Sequence, residues 1–192
     1  MSLNNLPELE QWKTLSRQTI LDRGKFLRVE EHAIELPDGQ IIPDWTWVIG
    51  PDAVIVLAET AEGKYLCFHQ TKYAIEGSTL APVGGHVEAG EDPLVAAQRE
   101  LLEETGYQAA EWISLGELVT EPNRGVGMRY LFFARQAVPI TERDADDLEE
   151  QVLLHLTRDD LEQALIANRF KIASWAAVVG IVLRYLERED KG

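Results

Sequence analysis

Residues 85–107 read GHVEAGEDPLVAAQRELLEETGY, a glycine-hinged loop that runs into a helix carrying more acid than packing requires. Gly84, Gly85 and Gly90 tolerate backbone conformations that other residues resist, and let a chain pass close to a ligand. Asp92 suits a helix cap, Pro93 the first helical position and Gly106 the stop, which together predict a helix over 93–105. On it Leu94, Ala97, Leu101 and Leu102 form the expected buried stripe. Glu100, Glu103 and Glu104 fall at i, i+3 and i+4 and share one edge.

Like charges at that spacing cost a helix about 0.2–0.5 kcal/mol per pair, and more where neighbouring protein excludes water. A divalent cation would offset the cost, since Mg²⁺ takes carboxylate, carbonyl and water oxygens and is commonly shared with substrate phosphates. Arg99 follows Glu91 by eight residues and is placed to reach back and lock the loop onto the helix. An isolated E-x-x-E-E is usually a solvated acidic face. The whole spacing argues otherwise.

Gly85, five residues, Glu91, seven residues, Arg99-Glu100-Leu101, one residue, Glu103-Glu104, one residue, Gly106 and then Tyr107 resembles the signature of the Nudix hydrolases. Only the last position, usually aliphatic, differs in holding an aromatic. Seven identities at roughly 7% each leave a chance match of about one in 10⁸ per start position.

Around this stretch the chain reads as one ordinary soluble protein with a small appendage. Its 192 residues are 45% hydrophobic and 27% charged, and its net charge is −15. Such acidity disfavours nucleic acid as a partner, because affinity for a polyanion comes mostly from basic residues on phosphates. A small phosphorylated ligand needs only a local cationic patch. The single cysteine, Cys67, excludes an internal disulfide. With no signal-like opening and no apolar run long enough to span a bilayer, the expectation is a cytoplasmic protein without membrane contact.

Residues 14–21, 26–36 and 41–49 predict a small antiparallel sheet, with a hairpin turn at Pro37-Asp38-Gly39 and an edge strand or bulge at Pro43. Domain organisation follows: 1–49 as an N-terminal β subdomain and 50–192 as the main domain. Trp45 and Trp47 share one strand face, either as core or interface residues or as a platform for a purine. Strands are expected at 53–59 and 64–70 around an Ala61-Glu62-Gly63 turn, the first buried on both faces. Further strands fall at 112–120, 128–134 and 152–156. Helices follow over 158–167, with Thr157 and Asp160 as a capping box, and over 173–186. Lys72 is a candidate phosphate ligand, and Arg124 and Arg129, in and after the 121–127 loop, are candidates for substrate contact. The acidic run 142–150 is either a solvated loop or a carrier of a general base.

Within the superfamily the chain looks most like the ADP-ribose pyrophosphatase group. Leu36-Pro37-Asp38-Gly39, Gln70-Thr71-Lys72-Tyr73 and the acidic loop before the last strand carry that likeness. The resemblance implies an α/β fold, a Nudix α/β/α sandwich with a mixed sheet, beside the N-terminal antiparallel sheet. It implies metal-dependent hydrolysis of a nucleoside diphosphate sugar, with ADP-ribose as the leading substrate and Mg²⁺, or Mn²⁺, as cofactor. A different nucleotide substrate, or a silent nucleotide sensor, is the alternative. Glu100 and Glu104 would bind metal with help from Glu103 and the Gly84 carbonyl, while Arg99 and Glu91 orient the set. A carboxylate of the acidic loop, Glu149 by its distance from Val152, would activate water. Members are typically homodimers through their N-terminal sheets, and that raises Trp45 and Trp47 as base-stacking residues. Three departures touch specificity: Ala81-Pro82-Val83-Gly84-Gly85 lacks a carboxylate usual in the group, Lys72 stands where arginine is usual, and the Arg124 loop lacks the common proline-glycine form.

Overall fold

The computed structural model describes residues 6–143 and 150–192, which divide into two compact units. The first runs through Pro51 and includes Glu121–Gly127; the second holds Asp52–Thr120 and Met128–Gly192.

In the N-terminal unit, β1 (Lys13–Asp22), β2 (Arg28–Glu35) and β3 (Ile41–Ile49) form an antiparallel meander. The β2–β3 turn is built as Pro37-Asp38-Gly39 predicts: Gly39 takes φ 84° and the Asp38 carboxylate accepts from the Gln40 amide at 3.0 Å. Pro43 falls opposite the register shift between His32 and Ile34, so the residue with no amide to donate meets the ladder at a bulge. Residues 121–127 join this unit, the Val48 amide donating to the Arg124 carbonyl at 2.9 Å.

The larger unit contains β4 (Ala53–Thr60), β5 (Tyr65–Thr71), β6 (Ser78–Ala81), β7 (Val83–His86), α1 (Pro93–Thr105), β8 (Tyr107–Gln108), β9 (Glu111–Glu121), β10 (Gly125–Pro139), β11 (Gln151–Leu156), α2 (Arg158–Ile166) and α3 (Ala173–Glu189). Glu121 and the first three residues of β10 belong to the other unit. The sheet is mixed: β10 runs parallel to β4, while β5 and β7 run antiparallel to β4, and β11 antiparallel to β5. The alternation of side chains splits its core in two. Ile55, Leu57, Cys67, Leu131 and Phe133 pack with Leu161 of α2 and Val178, Val179 and Val182 of α3. Val54, Val56, Phe68 and Phe132 pack with Ala96, Ala97 and Leu101 of α1. Strands covered by helices on both faces make the expected α/β/α sandwich.

Helix α1 starts and stops where its caps dictate. The Asp92 carboxylate accepts from the Leu94 and Val95 amides, and Gly106, at φ 76°, donates to the Leu102 carbonyl. Its buried stripe is Ala96, Ala97, Leu101 and Thr105, whereas Leu94, expected inside, is 37% exposed in the first turn. Contact with the sheet begins two residues later than the apolar pattern suggests. Strand β7 occupies the start of the glycine-hinged stretch expected as loop before the helix, and a further short strand, β6, precedes it. The 121–127 loop shortens to a turn because β10 begins at Gly125, with Gly125, Val126 and Gly127 all at positive φ. Among the described residues no helix is long and apolar enough to cross a membrane.

Candidate active site

Strand β7 is confined between a neighbouring backbone and a carboxylate. A Cβ on Gly84 would stand 2.5 Å from the Val54 carbonyl oxygen of β4, and one on Gly85 would stand 2.1 Å from the Glu100 carboxyl carbon. Two successive glycines therefore let β7 pair with β4 while α1 lays its acids against it. The Gly84 amide donates to Glu104 Oε2 at 3.3 Å. Glu100 and Glu104, one helical turn apart, thus address consecutive residues of one strand.

Arg99 braces this arrangement. Its Nε and Nη2 donate to the two oxygens of Glu91, each at 3.0 Å, and Nη2 also reaches the His86 carbonyl at 3.0 Å. Nη1 donates to Glu100 at 2.7 Å and Glu103 at 3.1 Å. Glu91 further accepts the Glu88 amide at 2.9 Å, which closes the 86–91 loop onto the helix. The predicted reach from Arg99 to Glu91 is a forked, two-bond contact, the geometry that guanidinium offers and an ammonium cannot.

The charges respond to these neighbours in opposite directions. Arg99 beside it, and then the Glu88 amide, hold the Glu91 carboxyl below the usual carboxylate range. Burial pushes the Glu100 carboxyl up, and Arg99, which acts the other way, does not cancel it. A carboxylate that is costly to ionise in the free protein is one that a cation would relieve.

Glu104, Gly84 and Gly85 line a pocket of about 350 Å³ together with Lys72 and Arg129. Arg129 is half-buried; burial lowers its affinity for the proton, against the pull of Asp52. Asp52 also accepts the Met128 amide at 2.7 Å, and Arg129 Nη1 donates to the Met128 carbonyl at 2.8 Å, so the root of this cation is fixed. Two cations and Glu104 of the acid-bearing helix edge therefore meet in one cavity. Glu100, Glu103, Glu91 and Arg99 form a cluster of their own, tied through the guanidinium, and do not line the pocket. His86, Gln70, Gln151 and the first turn of α3 line it as well. Period-two reading back from Lys72 would have found Gln70, whereas nothing in the sequence marks α3's first turn.

The residues present suit a hard divalent cation shared with substrate. Among the described residues no three Asp, Glu, His or Cys side chains converge tightly enough to cage an ion. What is there is an all-oxygen pair of carboxylates on a glycine strand, one of them packed where only glycine leaves room. Mg²⁺ is usually bound through one or two carboxylates plus substrate oxygens.

Trp45, Trp47 and Arg124 belong to the N-terminal unit. Trp45 and Trp47 line a concavity of about 470 Å³ there, opposite Glu30 and His32 on β2. Trp47 stacks on His32 with ring centres 5.7 Å apart, and His32 and Glu30 share a buried hydrogen bond of 2.9 Å. The Trp45 indole donates to the Asn123 carbonyl at 2.8 Å, and Arg124 lines a second hollow beside Trp45. Glu149 lies outside the described residues.

Comparison with known proteins gives the family. A family model described as NUDIX domain matches residues 50–178, and one described as nucleoside diphosphate sugar hydrolase N-terminal domain matches residues 12–48. The chain is 32% identical over 184 residues to a protein of Bacillus methanolicus named methanol dehydrogenase activator, covering 95% of this chain and 96% of the relative. It is 31% identical over 153 residues to the ADP-ribose pyrophosphatase of Bacillus subtilis (strain 168), covering 80% of each. A crystal structure of an ADP compounds hydrolase superposes with a TM-score of 0.74 at 21% identity, covering 96% of this chain and 98% of that one, and so shares the fold. With its signature helix, glycine strand and supporting arginine in place, the chain belongs to the Nudix family and is a Nudix hydrolase related to ADP-ribose pyrophosphatase.

Proposed function

We propose that the chain hydrolyses the diphosphate linkage of ADP-ribose, giving AMP and ribose 5-phosphate. The observation that carries this reading is the single pocket in which Glu104 and the Gly84–Gly85 strand meet Lys72 and Arg129. An acid alone repels a diphosphate; Glu104 and two cations facing one cavity can hold one with a shared metal ion. The likeness to the ADP-ribose pyrophosphatase of Bacillus subtilis supports the choice of substrate.

Glu100 and Glu104 would hold Mg²⁺, with Glu103 and the Gly84 carbonyl assisting. When bound, such an ion neutralises diphosphate charge and lowers the pKa of water. Arg99 keeps the Glu100 carboxylate aimed, and Glu91 keeps Arg99 in place. Lys72 and Arg129 hold the phosphate oxygens. Glu149 takes the proton of the attacking water, whose oxygen bonds to phosphorus as the bridging P–O bond breaks. Trp45 and Trp47 stack the base, in a homodimer that works in the cytoplasm.

The test is a panel of ADP-ribose, other nucleotide sugars, dinucleotides and nucleoside triphosphates, incubated with protein and Mg²⁺ and resolved by chromatography. ADP-ribose is expected to turn over fastest, and Glu104→Gln to abolish turnover while the fold is kept. Cleavage of triphosphates without ADP-ribose would overturn the substrate; an active Glu104→Gln would overturn the metal assignment.

A second reading, that the chain regulates a dehydrogenase, is favoured by the end-to-end match to the methanol dehydrogenase activator. Adding the chain to a methanol dehydrogenase and following the rate with and without Glu104→Gln decides whether any effect needs the hydrolytic site.

A further inference from the structure

Helix α3 begins differently from the other two helices. Asp92 caps α1 and Thr157 caps α2, but the residue before α3 is Ile172, which offers its first amides no side-chain oxygen. Ile172, Ser174 and Trp175 of this first turn line the pocket that holds Glu104, Lys72 and Arg129. The turn is held from behind. The Leu80 amide donates to the Arg169 carbonyl at 2.8 Å, the Lys171 amide to Thr79 Oγ1 at 3.1 Å, and Lys171 Nζ to the Glu76 carbonyl at 2.8 Å. These bonds fasten the segment before α3 to β6 and the loop that precedes it.

A second feature faces the same space. Phe68 and Gln70 alternate along β5, Lys72 follows just past its end, and all three line the pocket. Gln70 is only 7% exposed, yet its carboxamide makes no hydrogen bond among the described residues. No fully buried side-chain polar atom among them lacks a partner, so the Gln70 carboxamide is not sealed in the core: it opens on the pocket. A carboxamide on a largely buried residue, open only to the pocket, is a group placed to bond a ligand there.

The chemistry of that partner is narrow. Gln70 and Ser174 are uncharged and each both donates and accepts, which matches hydroxyl groups better than phosphate oxygens. Trp175 adds an apolar wall, and the uncapped amides of α3 favour a phosphate oxygen close by. We propose that Gln70, Ser174 and Trp175, with the N-terminus of α3, form the subsite for the sugar phosphate on the far side of the diphosphate from adenosine. The proposal rests on the hydrolase reading above and assigns the residues that read the sugar.

The experiment compares ADP-ribose with the β-methyl ester of ADP, which keeps the diphosphate and lacks the polyol. Gln70→Leu is expected to lower kcat/KM for ADP-ribose at least about tenfold more than for the methyl ester, and Ser174→Ala about threefold more. Equal losses on both substrates, or no loss, would overturn the subsite while leaving the hydrolase reading intact. Calorimetric titration of the metal-free protein with ribose 5-phosphate gives a reading that needs no turnover: roughly tenfold weaker binding by Gln70→Leu supports the assignment, and unchanged binding overturns it. Thermal melting of each variant, with Gln70→Asn retaining the carboxamide, separates loss of contact from loss of fold. Absence of any turnover by the unsubstituted protein would sink the hydrolase reading, and the titration would still judge the subsite.

Discussion

The Glu100 carboxylate lies against Gly85 so closely that a single methyl on residue 85 would stand 2.1 Å from the carboxyl carbon. Gly85→Ala therefore has to displace Glu100, the half-buried acid whose place on β7 aligns the α1 edge. The expected result is a loss of activity of about 100-fold, the upper end of the range for disturbing groups that orient a metal site. Steady-state hydrolysis with added Mg²⁺ or Mn²⁺ checks it. Near-normal activity would show that Glu100 has freedom its packing denies.

Arg99 binds three carboxylates and one carbonyl, so Arg99→Lys cannot reproduce it. Lysine has no fork to span both oxygens of Glu91, and activity is expected to fall roughly 10- to 100-fold even though charge is kept. Acid titration gives an independent reading. The Glu91 carboxyl is held below its ordinary range, so the pair's contribution to stability is present above the unfolded carboxylate pKa. It is lost as pH falls through the lowered native value. Urea midpoints followed from neutral to acid pH should drop less steeply in Glu91→Gln than in the unsubstituted protein. An identical acid limb would mean that Glu91 ionises freely in the fold.

How much of this was legible beforehand differs between parts of the chain. The α1 region is governed by local rules, and Asp92, Pro93 and Gly106 set both ends of the helix from sequence alone. The Arg99–Glu91 pair was also readable, because eight residues of spacing place it across one loop. The depth of Leu94 was not, since amphipathic periodicity gives a direction and not the point where a helix meets its sheet. Strands β6 and β7 carry no strand signal in the sequence, because Pro82, Gly84 and Gly85 read as loop. They are strand because β5 supplies the backbone partner of β6 and β4 that of β7, where glycine is needed for close approach. The wall made by Ile172, Ser174 and Trp175 comes from chain far removed in sequence. No pattern within 172–175 announces it.

Cys67 should be silent in the native protein. Burial in the core under α2 and α3 pushes its thiol up to about 12, from an ordinary 9.0, so almost no thiolate forms near neutral pH. Alkylation at about pH 8 should then proceed only through opening of the core, with a rate that rises with denaturant. Linkage adds a sign. The unfolded thiol ionises first, so stability should fall as pH rises above 9.0 and continue falling to about 12, by at most about 1.4 kcal/mol per unit. Cys67→Ala should make that alkaline slope shallower, leaving the share of tyrosines such as Tyr65 whose ionisation burial also opposes, whatever its effect at neutral pH. Rapid native alkylation would place the thiol outside the core.

Arg129 separates binding from stability. Its guanidinium is half-buried at the pocket and burial works against its charge, with Asp52 in partial compensation. Arg129→Met keeps much of the side-chain volume and removes that desolvation cost, so thermal stability should hold. Substrate loses a charge-assisted bond, worth roughly 1.5–3 kcal/mol, or about 10- to 150-fold in kcat/KM. The loss should be greatest at low ionic strength, because added salt already weakens a partly exposed cation toward a diphosphate. Kinetics at two salt concentrations, beside a melting curve, test both halves. A variant that melts early yet keeps its kcat/KM would make Arg129 a structural residue, leaving Lys72 as the cation that meets the phosphate.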